Sequence, residues 1–265
     1  MNGIDVSFAQ GNIDWRQVKV SGKVDFAIIR AGYGRYASQK DEYFERNYAG
    51  CKEIGIPCGA YWYSYATTVE DAVKEAQACL ECIKGKQFEY PIYFDFEEDS
   101  QLRLGRELVS AIINAFCDTV ENAGYFVGVY SMKSALESHL TNEVRNRYTI
   151  WCAHINVSHT SYTGHSMWQY SWTGRIPGIS GNVDLDECYV DYPAIIVGGG
   201  FNGFPKPEPL PYTPGMTNAD AANVAYAHGM TAGDVQTLLR WVAEKGAGNY
   251  QDTVDDFNRY LRENA

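Results

Sequence analysis

Eight short runs with the composition of β-strands follow one another along the first 190 residues of the chain. Each run is rich in β-branched and aromatic residues and is bounded by turn formers. The runs cover residues 3–7, 24–34, 58–66, 90–99, 125–131, 148–155, 166–172 and 182–190. Helical patterns at residues 41–54, 67–85 and 104–124 separate the early runs, whereas short, polar, glycine-containing links join the last three. Strands that alternate with helices pair in parallel, so the sequence predicts an α/β fold, an irregular TIM-like barrel with its chemistry at the carboxyl ends of the strands.

A stretch rich in glycine and proline at residues 198–215 divides the chain. Its composition predicts a semi-rigid linker between a barrel domain at residues 1–197 and a small helical domain at residues 216–265. Three helical patterns lie in that last region, at residues 218–228, 232–245 and 251–264. Because about 50 residues form only a marginal core on their own, we expect this three-helix domain to dock onto a binding partner or to mediate dimerisation.

Charge and cysteine content argue against several classes of partner and cofactor. The formal net charge is −11, which disfavours nucleic acid because a phosphate backbone requires a clustered basic surface. No apolar run approaches the roughly 18 residues of a membrane span, and the N-terminus lacks the pattern of a secretion signal. The seven cysteines include one close pair, Cys79 and Cys82, without a second pair to complete a zinc site. We therefore expect free, buried thiols, no membrane insertion and no nucleic-acid partner.

Two acidic residues stand out in the run at residues 90–99. On a strand, Asp95 and Glu97 would share one face with Cα atoms about 6.5–7 Å apart, while Phe94 and Phe96 would share the other. Two like charges this close raise at least one pKa, which suits a carboxyl group that donates a proton near neutral pH. Binding of a divalent metal and capping of the next helix remain alternatives at this point, the latter especially for Glu98.

Further acidic residues lie in the first and last predicted strands. Asp5 interrupts an apolar first strand, and Asp184 and Asp186 share a face of the last one. Because the first and last strands of a closed barrel are neighbours, Asp5 and Asp184 are expected to face each other across the same mouth. The pattern alone does not separate Asp184 from Asp186. The five histidines lie outside these strand ends, which disfavours zinc and a Ser-His-Asp triad and favours carboxylate chemistry.

The predicted strands carry an ordered set of motifs. In chain order they are GIDVSFAQGNIDW, AIIRAGYG, GAYWYSYA, YPIYFDFEE, GVYS, IWCAHI and MWQYSWTGRIPGISGNVDLDE. Together, from about Gly3 to Asp191, they resemble the family 25 glycoside hydrolases, the Chalaropsis-type lysozymes. The resemblance implies an irregular (β/α)5β3 barrel. It also implies N-acetylmuramidase activity, which hydrolyses the β-1,4 bond between N-acetylmuramic acid and N-acetylglucosamine in the glycan strands of bacterial peptidoglycan.

The same resemblance assigns roles to individual acids. It implies that Glu97 is the general acid, that Asp95 is its partner carboxylate, and that Asp5 and Asp184 support the pair. It favours a substrate-assisted reaction in which the 2-acetamido oxygen attacks; direct retention and inversion by two carboxylates remain alternatives. Neither a metal nor an organic cofactor is expected.

Other side chains near the strand ends are candidate substrate contacts, with ordinary packing inside the barrel as the alternative for each. Arg30, within an apolar strand, is included among them, although pairing with one of the four acids is its more natural role. At Tyr61–Trp62–Tyr63 many family members have Tyr-His-Phe, so we expect an aromatic ring to replace an imidazole beside the cleft. The candidate substrate-binding residues are Tyr61, Tyr63, Tyr130, Trp151, Gln169 and Arg30.

A wall-cutting activity without a secretion signal is typical of a phage endolysin, which stays in the host cytoplasm until lysis. A bacterial autolysin exported by another route is the alternative. On this interpretation the C-terminal helices bind the cell wall or form a homodimer. Two other functions stay open: a non-catalytic peptidoglycan-binding protein, and a chitinase-like hydrolase of N-acetylglucosamine polymers.

Overall fold

The structure, a computed structural model, describes residues 1–205 and forms a closed barrel whose strand order follows the sequence. Neighbouring strands from β1 to β7 pair in parallel, and β8 runs antiparallel to both β7 and β1. All eight predicted strands are confirmed. They are β1 Asn2–Val6, β2 Phe26–Tyr33, β3 Cys58–Tyr63, β4 Ile92–Asp95, β5 Val127–Met132, β6 Thr149–Ala153, β7 Met167–Gly174 and β8 Val183–Cys188.

Helices cover the outside of the first part of the barrel. Within the described residues, the links from β6 to β7 and from β7 to β8 contain no helix, as the sequence predicts. The three predicted helices correspond to α2, α3 and α5, and the side chain of Thr68 caps α3 by accepting a hydrogen bond from the amide of Asp71. The helices are α1 Trp15–Val20, α2 Phe44–Ile54, α3 Val69–Ile83, α4 Asp99–Leu102, α5 Arg106–Asn122, α6 Lys133–His139, α7 Asn142–Arg147 and α8 Tyr192–Gly199.

The alternation of side chains along the strands builds two apolar layers. Along β2, Ala27 and Ile29 pack in the outer layer beneath the helices, whereas Phe26 and Ile28 belong to the cluster inside the barrel. Small residues make room for large rings in this interior: a Cβ atom on Gly3 would lie 2.1 Å from the ring of Phe26. On Gly128 a Cβ atom would lie 2.5 Å from the ring of Tyr93. The interior is therefore a packed core, and an open site can form only at one end.

Helix α8 and the residues after it close the end of the barrel opposite the acids. Tyr192 and Phe201 join the interior cluster, and the amide of Asn202 donates to the carbonyl oxygens of Phe88 and Tyr90 at 3.0 and 2.9 Å. The predicted linker boundary at residue 198 is therefore wrong, because the chain stays packed against the barrel through Asn202. The rest of the predicted linker and the three-helix domain, residues 206–265, lie outside the described residues.

Two further expectations concern the thiols and the membrane. All seven cysteines are free and buried, which confirms the prediction of buried thiols. Among the helices of residues 1–205, none is both long enough and apolar enough to cross a membrane.

Candidate active site

The carboxyl end of β4 presents the two acids singled out in the sequence. Phe94 and Phe96 pack outward, against Phe116 at 4.7 Å and His139 at 5.9 Å between ring centroids. Asp95 therefore lies on the barrel side, as predicted, and Glu97 lies close enough for its charge to act on Asp95 and for that of Asp184 to act on it. The strand itself ends at Asp95, so the expected extension of the strand through Glu97 is wrong, and Glu97 belongs to the loop that follows.

Asp5 and Asp184 meet across the barrel closure. They are register partners in the β1–β8 pairing, which confirms the expected juxtaposition. The side-chain amide of Gln169 donates to Asp5 Oδ2 at 2.7 Å. Asp186 is fully buried and accepts a hydrogen bond from Trp151 Nε1 at 2.8 Å. The structure thus separates the two acids of β8, since Asp184 is partly exposed at the mouth and Asp186 lies deeper.

Burial raises the pKa of the acids at this end of the barrel. For Asp95, burial and the neighbouring Glu97 raise the pKa well above its ordinary value, and Arg30 partly opposes the effect. For Glu97, burial is again the main cause of a raised pKa, followed by the charges of Glu98 and Asp184. Burial also raises the pKa of Asp184 to about 6. A cluster of this kind retains protons at mildly acidic pH, which is what a general acid requires.

The backbone on both sides of Glu97 is held by hydrogen bonds. Before it, the amide of Phe96 donates to the carbonyl of Tyr130 at 3.0 Å, and the hydroxyl of Ser131 donates to the carbonyl of Phe96. After it, the amide of Glu98 donates to Gln101 Oε1 at 3.3 Å. The loop that carries Glu97 is therefore fixed relative to strand β5 and helix α4, which favours precise placement of its carboxyl group.

Glu98 has a different role from Glu97. It is the N-cap of α4 and forms a capping box with Gln101, which confirms for Glu98 the capping alternative raised from the sequence. Its Oε1 also accepts a hydrogen bond from the hydroxyl of Tyr63 at 2.7 Å. Gln101 is a residue of the site that was not predicted, although the spacing of Glu98 and Gln101 is that of a capping box.

Behind this loop lies another buried carboxyl group, that of Glu75 in α3. Its Oε1 accepts a hydrogen bond from the amide of Tyr65 at 2.9 Å. The hydroxyl of Ser64, the residue before Tyr65, accepts a hydrogen bond from the side-chain amide of Gln101 at 2.9 Å. The end of β3, helix α3 and helix α4 are thereby joined beneath the site.

The stability of the protein is expected to depend on pH through Glu75. Burial raises its pKa from 4.5 to about 7, so in this interval the folded protein keeps a proton that the unfolded chain releases. The free energy of unfolding should therefore fall as the pH rises through this window, by about 3 kcal/mol at most from this group. Urea unfolding across the window checks this, with Glu75→Gln as the comparison, because glutamine keeps the acceptor oxygen but does not titrate. The variant should gain stability relative to the wild type as the pH rises; a constant difference between the two would contradict the assignment.

Three of the candidate substrate residues are buried. Trp151, Gln169 and Tyr130 are 1%, 2% and 7% exposed. Trp151 binds Asp186, and Tyr130 donates to Gln169 Oε1 at 2.9 Å. Their polar atoms thus serve the acids and each other, and packing inside the barrel describes them better than an open sugar subsite. Tyr61 and Tyr63 remain partly exposed at the mouth.

Two further expectations need correction. Trp62 does not lie beside the cleft: it is fully buried in the outer layer and donates its Nε1 to the carbonyl of Gly34 at 2.9 Å. Strand alternation explains this, because Tyr61 and Tyr63 occupy the opposite face. Arg30 does not pair with any of the four acids, since its Nε donates to Asp41 Oδ2 at 2.7 Å.

Arg30 and Asp41 line a groove of about 490 Å3 beside the acids. Of its aromatic walls, Tyr63 was predicted from the sequence, whereas Phe8 and Tyr65 were not, because single aromatic residues outside the strands have no periodic pattern. Phe8 and Tyr65 are about half exposed there. The lining residues are Phe8, Arg30, Tyr33, Lys40, Asp41, Glu42, Tyr63 and Tyr65.

Carboxyl groups with raised pKa at the carboxyl end of a barrel, next to an aromatic groove, define an acid–base site of the type found in glycoside hydrolases. The model of glycosyl hydrolases family 25 matches residues 4–179, and the chain belongs to this family.

Individual relatives agree with this membership. The chain is 32% identical over 205 residues to the autolytic lysozyme of Clostridium acetobutylicum, a match that covers 75% of this chain but 58% of that protein. The structure is similar to the lysozyme of Streptomyces coelicolor, with a TM-score of 0.64, 29% identity, and coverage of 72% and 92% of the two chains. It is also similar to the catalytic domain of the endolysin ply40 from the Listeria monocytogenes bacteriophage P40. There the TM-score is 0.61, the identity 25%, and the coverage 72% and 94%.

Proposed function

We propose that the protein is an N-acetylmuramidase that hydrolyses the β-1,4 bond from N-acetylmuramic acid to N-acetylglucosamine in bacterial peptidoglycan. The observation that carries the proposal is the meeting of Asp5, Asp95, Glu97 and Asp184 at the carboxyl end of the barrel, with burial raising the pKa of each. Family membership supports it, as does the similarity to proteins named as lysozymes.

In the proposed reaction, protonated Glu97 donates its proton to the glycosidic oxygen as the bond to the anomeric carbon breaks. The 2-acetamido oxygen of the muramic acid residue attacks the same carbon and forms a cyclic oxazolinium intermediate. Water then opens this ring and gives up a proton to Glu97, which restores the acid and releases a reducing end of retained configuration.

Asp95 would hold the acetamido group during this reaction. Among the described residues, its buried Oδ1 has no hydrogen-bond partner. A buried acceptor without a partner is costly, and the N–H of the substrate's acetamido group would supply the missing donor. Asp5 and Asp184 add negative charge around the acid, which favours the protonated form of Glu97 and stabilises positive charge on the sugar ring.

The proposal makes a direct test possible with purified cell walls and the full chain. We expect the wild type to reduce the turbidity of a wall suspension and to release soluble glycan fragments. If the protein sediments with the walls but releases no fragments from any wall type, it is a peptidoglycan-binding protein and not an enzyme.

We further propose that the barrel is of the (β/α)5β3 type, since helices follow β1 to β5 whereas the next two links lack them. We also propose that the protein is a phage endolysin, supported by its similarity to the endolysin of phage P40. Such an enzyme would remain in the host cytoplasm until lysis. The region at residues 216–265 is proposed to bind the cell wall, or to form a homodimer; wall sedimentation and sedimentation velocity of the full chain test these two roles.

A further inference from the structure

The two sides of the cleft differ in charge. At its centre, Asp5, Asp95, Glu97 and Asp184 lie together, so the centre repels anions whenever they ionise. The groove beside them is lined by two cationic side chains, Arg30 and Lys40, and by two acidic ones, Asp41 and the exposed Glu42. The positive charge of Arg30 extends to the centre, because it lowers the pKa of Asp95 against the effect of burial.

Arg30 is held rigidly in the groove. Its guanidinium carbon lies 4.6 Å from the centre of the Phe8 ring and 5.9 Å from that of Tyr33. Its Nε donates to Asp41, which also accepts hydrogen bonds from the amides of Phe8 and Tyr43. Within residues 1–205 the two terminal nitrogens of Arg30 make no hydrogen bond. A guanidinium with a fixed position and available N–H groups is suited to a carboxylate ligand.

Lys40 can turn towards a ligand bound at Arg30 without a large loss of protein stability. Its Nζ lies 2.9 Å from Glu45 Oε1, in an ion pair whose side chains are 40% and 52% exposed. Ion pairs this exposed contribute little stability. Glu45 also pairs with Lys86 at 3.0 Å, so it keeps a cationic partner if Lys40 turns towards a ligand.

We infer that this groove is the subsite for a carboxylate carried by the muramic acid residue of the substrate. The inference rests on the proposed function, because in peptidoglycan such a carboxylate belongs either to the lactyl group or to the peptide attached to it. The acids at the centre repel this carboxylate, whereas the terminal N–H groups of Arg30 and the ammonium group of Lys40 can bind it. Asp41 in the same groove already accepts from Arg30 and from two backbone amides, and Glu42 is exposed to solvent. The groove volume is in the range of small-molecule sites.

The test compares glycan strands freed of peptides, which carry lactyl carboxylates, with the same strands after conversion of the carboxylates to methylamides. For the wild type we expect kcat/KM to be about tenfold lower on the amidated strands, since a hydrogen-bonded ion pair is lost. The full chain with Lys40→Gln should show a smaller ratio, about threefold, because one of the two cations is gone. Lys23→Gln is the control: it removes an exposed lysine that lies outside the groove, and it should keep the wild-type ratio.

A second pair of substrates identifies the source of the carboxylate. Strands with intact peptides are compared with the same strands after amidation of the peptide carboxyl groups. Discrimination in either pair that Lys40→Gln weakens supports the subsite and names that source. Equal wild-type rates within both pairs, or discrimination that Lys40→Gln leaves unchanged, would overturn it. If the wild type hydrolyses none of these strands, it is the proposed muramidase function that fails.

Discussion

Replacement of Glu97 by Gln is expected to lower kcat on peptidoglycan by roughly 10²–10⁴-fold, the usual contribution of a general acid. Glutamine keeps the size and the hydrogen-bonding groups of the side chain but has no proton to donate. Because the carboxyl group acts on the breaking bond, KM should change far less than kcat. Release of soluble fragments from walls measures the rate, and sedimentation with the same walls measures binding.

The matched control for this variant is Asp99→Asn. Asp99 lies two residues after Glu97, in the first turn of α4, and is exposed. Removing its charge should leave the rate close to that of the wild type. An active Glu97→Gln enzyme, or an equal loss in both variants, would show that Glu97 is not the proton donor.

Replacement of Asp95 by Asn is expected to have opposite effects on activity and stability. We expect kcat to fall by roughly 10²–10³-fold, because the side chain can no longer ionise when positive charge develops on the reacting sugar. Burial raises the pKa of Asp95 well above its ordinary value, so ionisation of this group destabilises the folded protein at high pH. Asparagine cannot ionise, and the unfolding temperature near neutral pH should rise.

Measurement of kcat and of the unfolding temperature on the same preparation checks this pair of effects. As the pH falls and wild-type Asp95 becomes protonated in both states, the gain in stability should disappear. A variant that loses both activity and stability would indicate that Asp95 has a structural role in the barrel and would contradict its place in the reaction.

The strands could be predicted because each one leaves a local pattern of alternating or continuous apolar residues between turn formers. The same alternation placed Asp95 on the barrel side and Phe94 on the outer side, and ring closure brought Asp5 to Asp184. Helix α8 has no such signal, because the segment Tyr192–Gly199 is apolar on all sides and ends in glycines. Its position is set by packing against the barrel interior, which a local pattern does not describe.

The rest of the site depends on contacts between residues distant in sequence. Gln101 reaches Ser64 across 37 positions, and Gln169 reaches Asp5 across 164. Trp151 and Gln169 were candidate sugar contacts from the sequence, with packing inside the barrel as the alternative, because both lie near strand ends at the same rim. Both side chains lie deep in the barrel, where they donate hydrogen bonds to Asp186 and Asp5. The order of residues in the chain does not reveal this depth.

The central claim concerns which bond is cut, and the reducing ends of the product test it most directly. Purified peptidoglycan is digested with the full chain, the products are reduced with borohydride, and the amino sugar alcohols are identified after acid hydrolysis. The account predicts that the alcohol of muramic acid increases in step with solubilisation and that Glu97→Gln produces none. An increase in the alcohol of glucosamine instead, with muramic acid unreduced, would contradict the assignment as an N-acetylmuramidase.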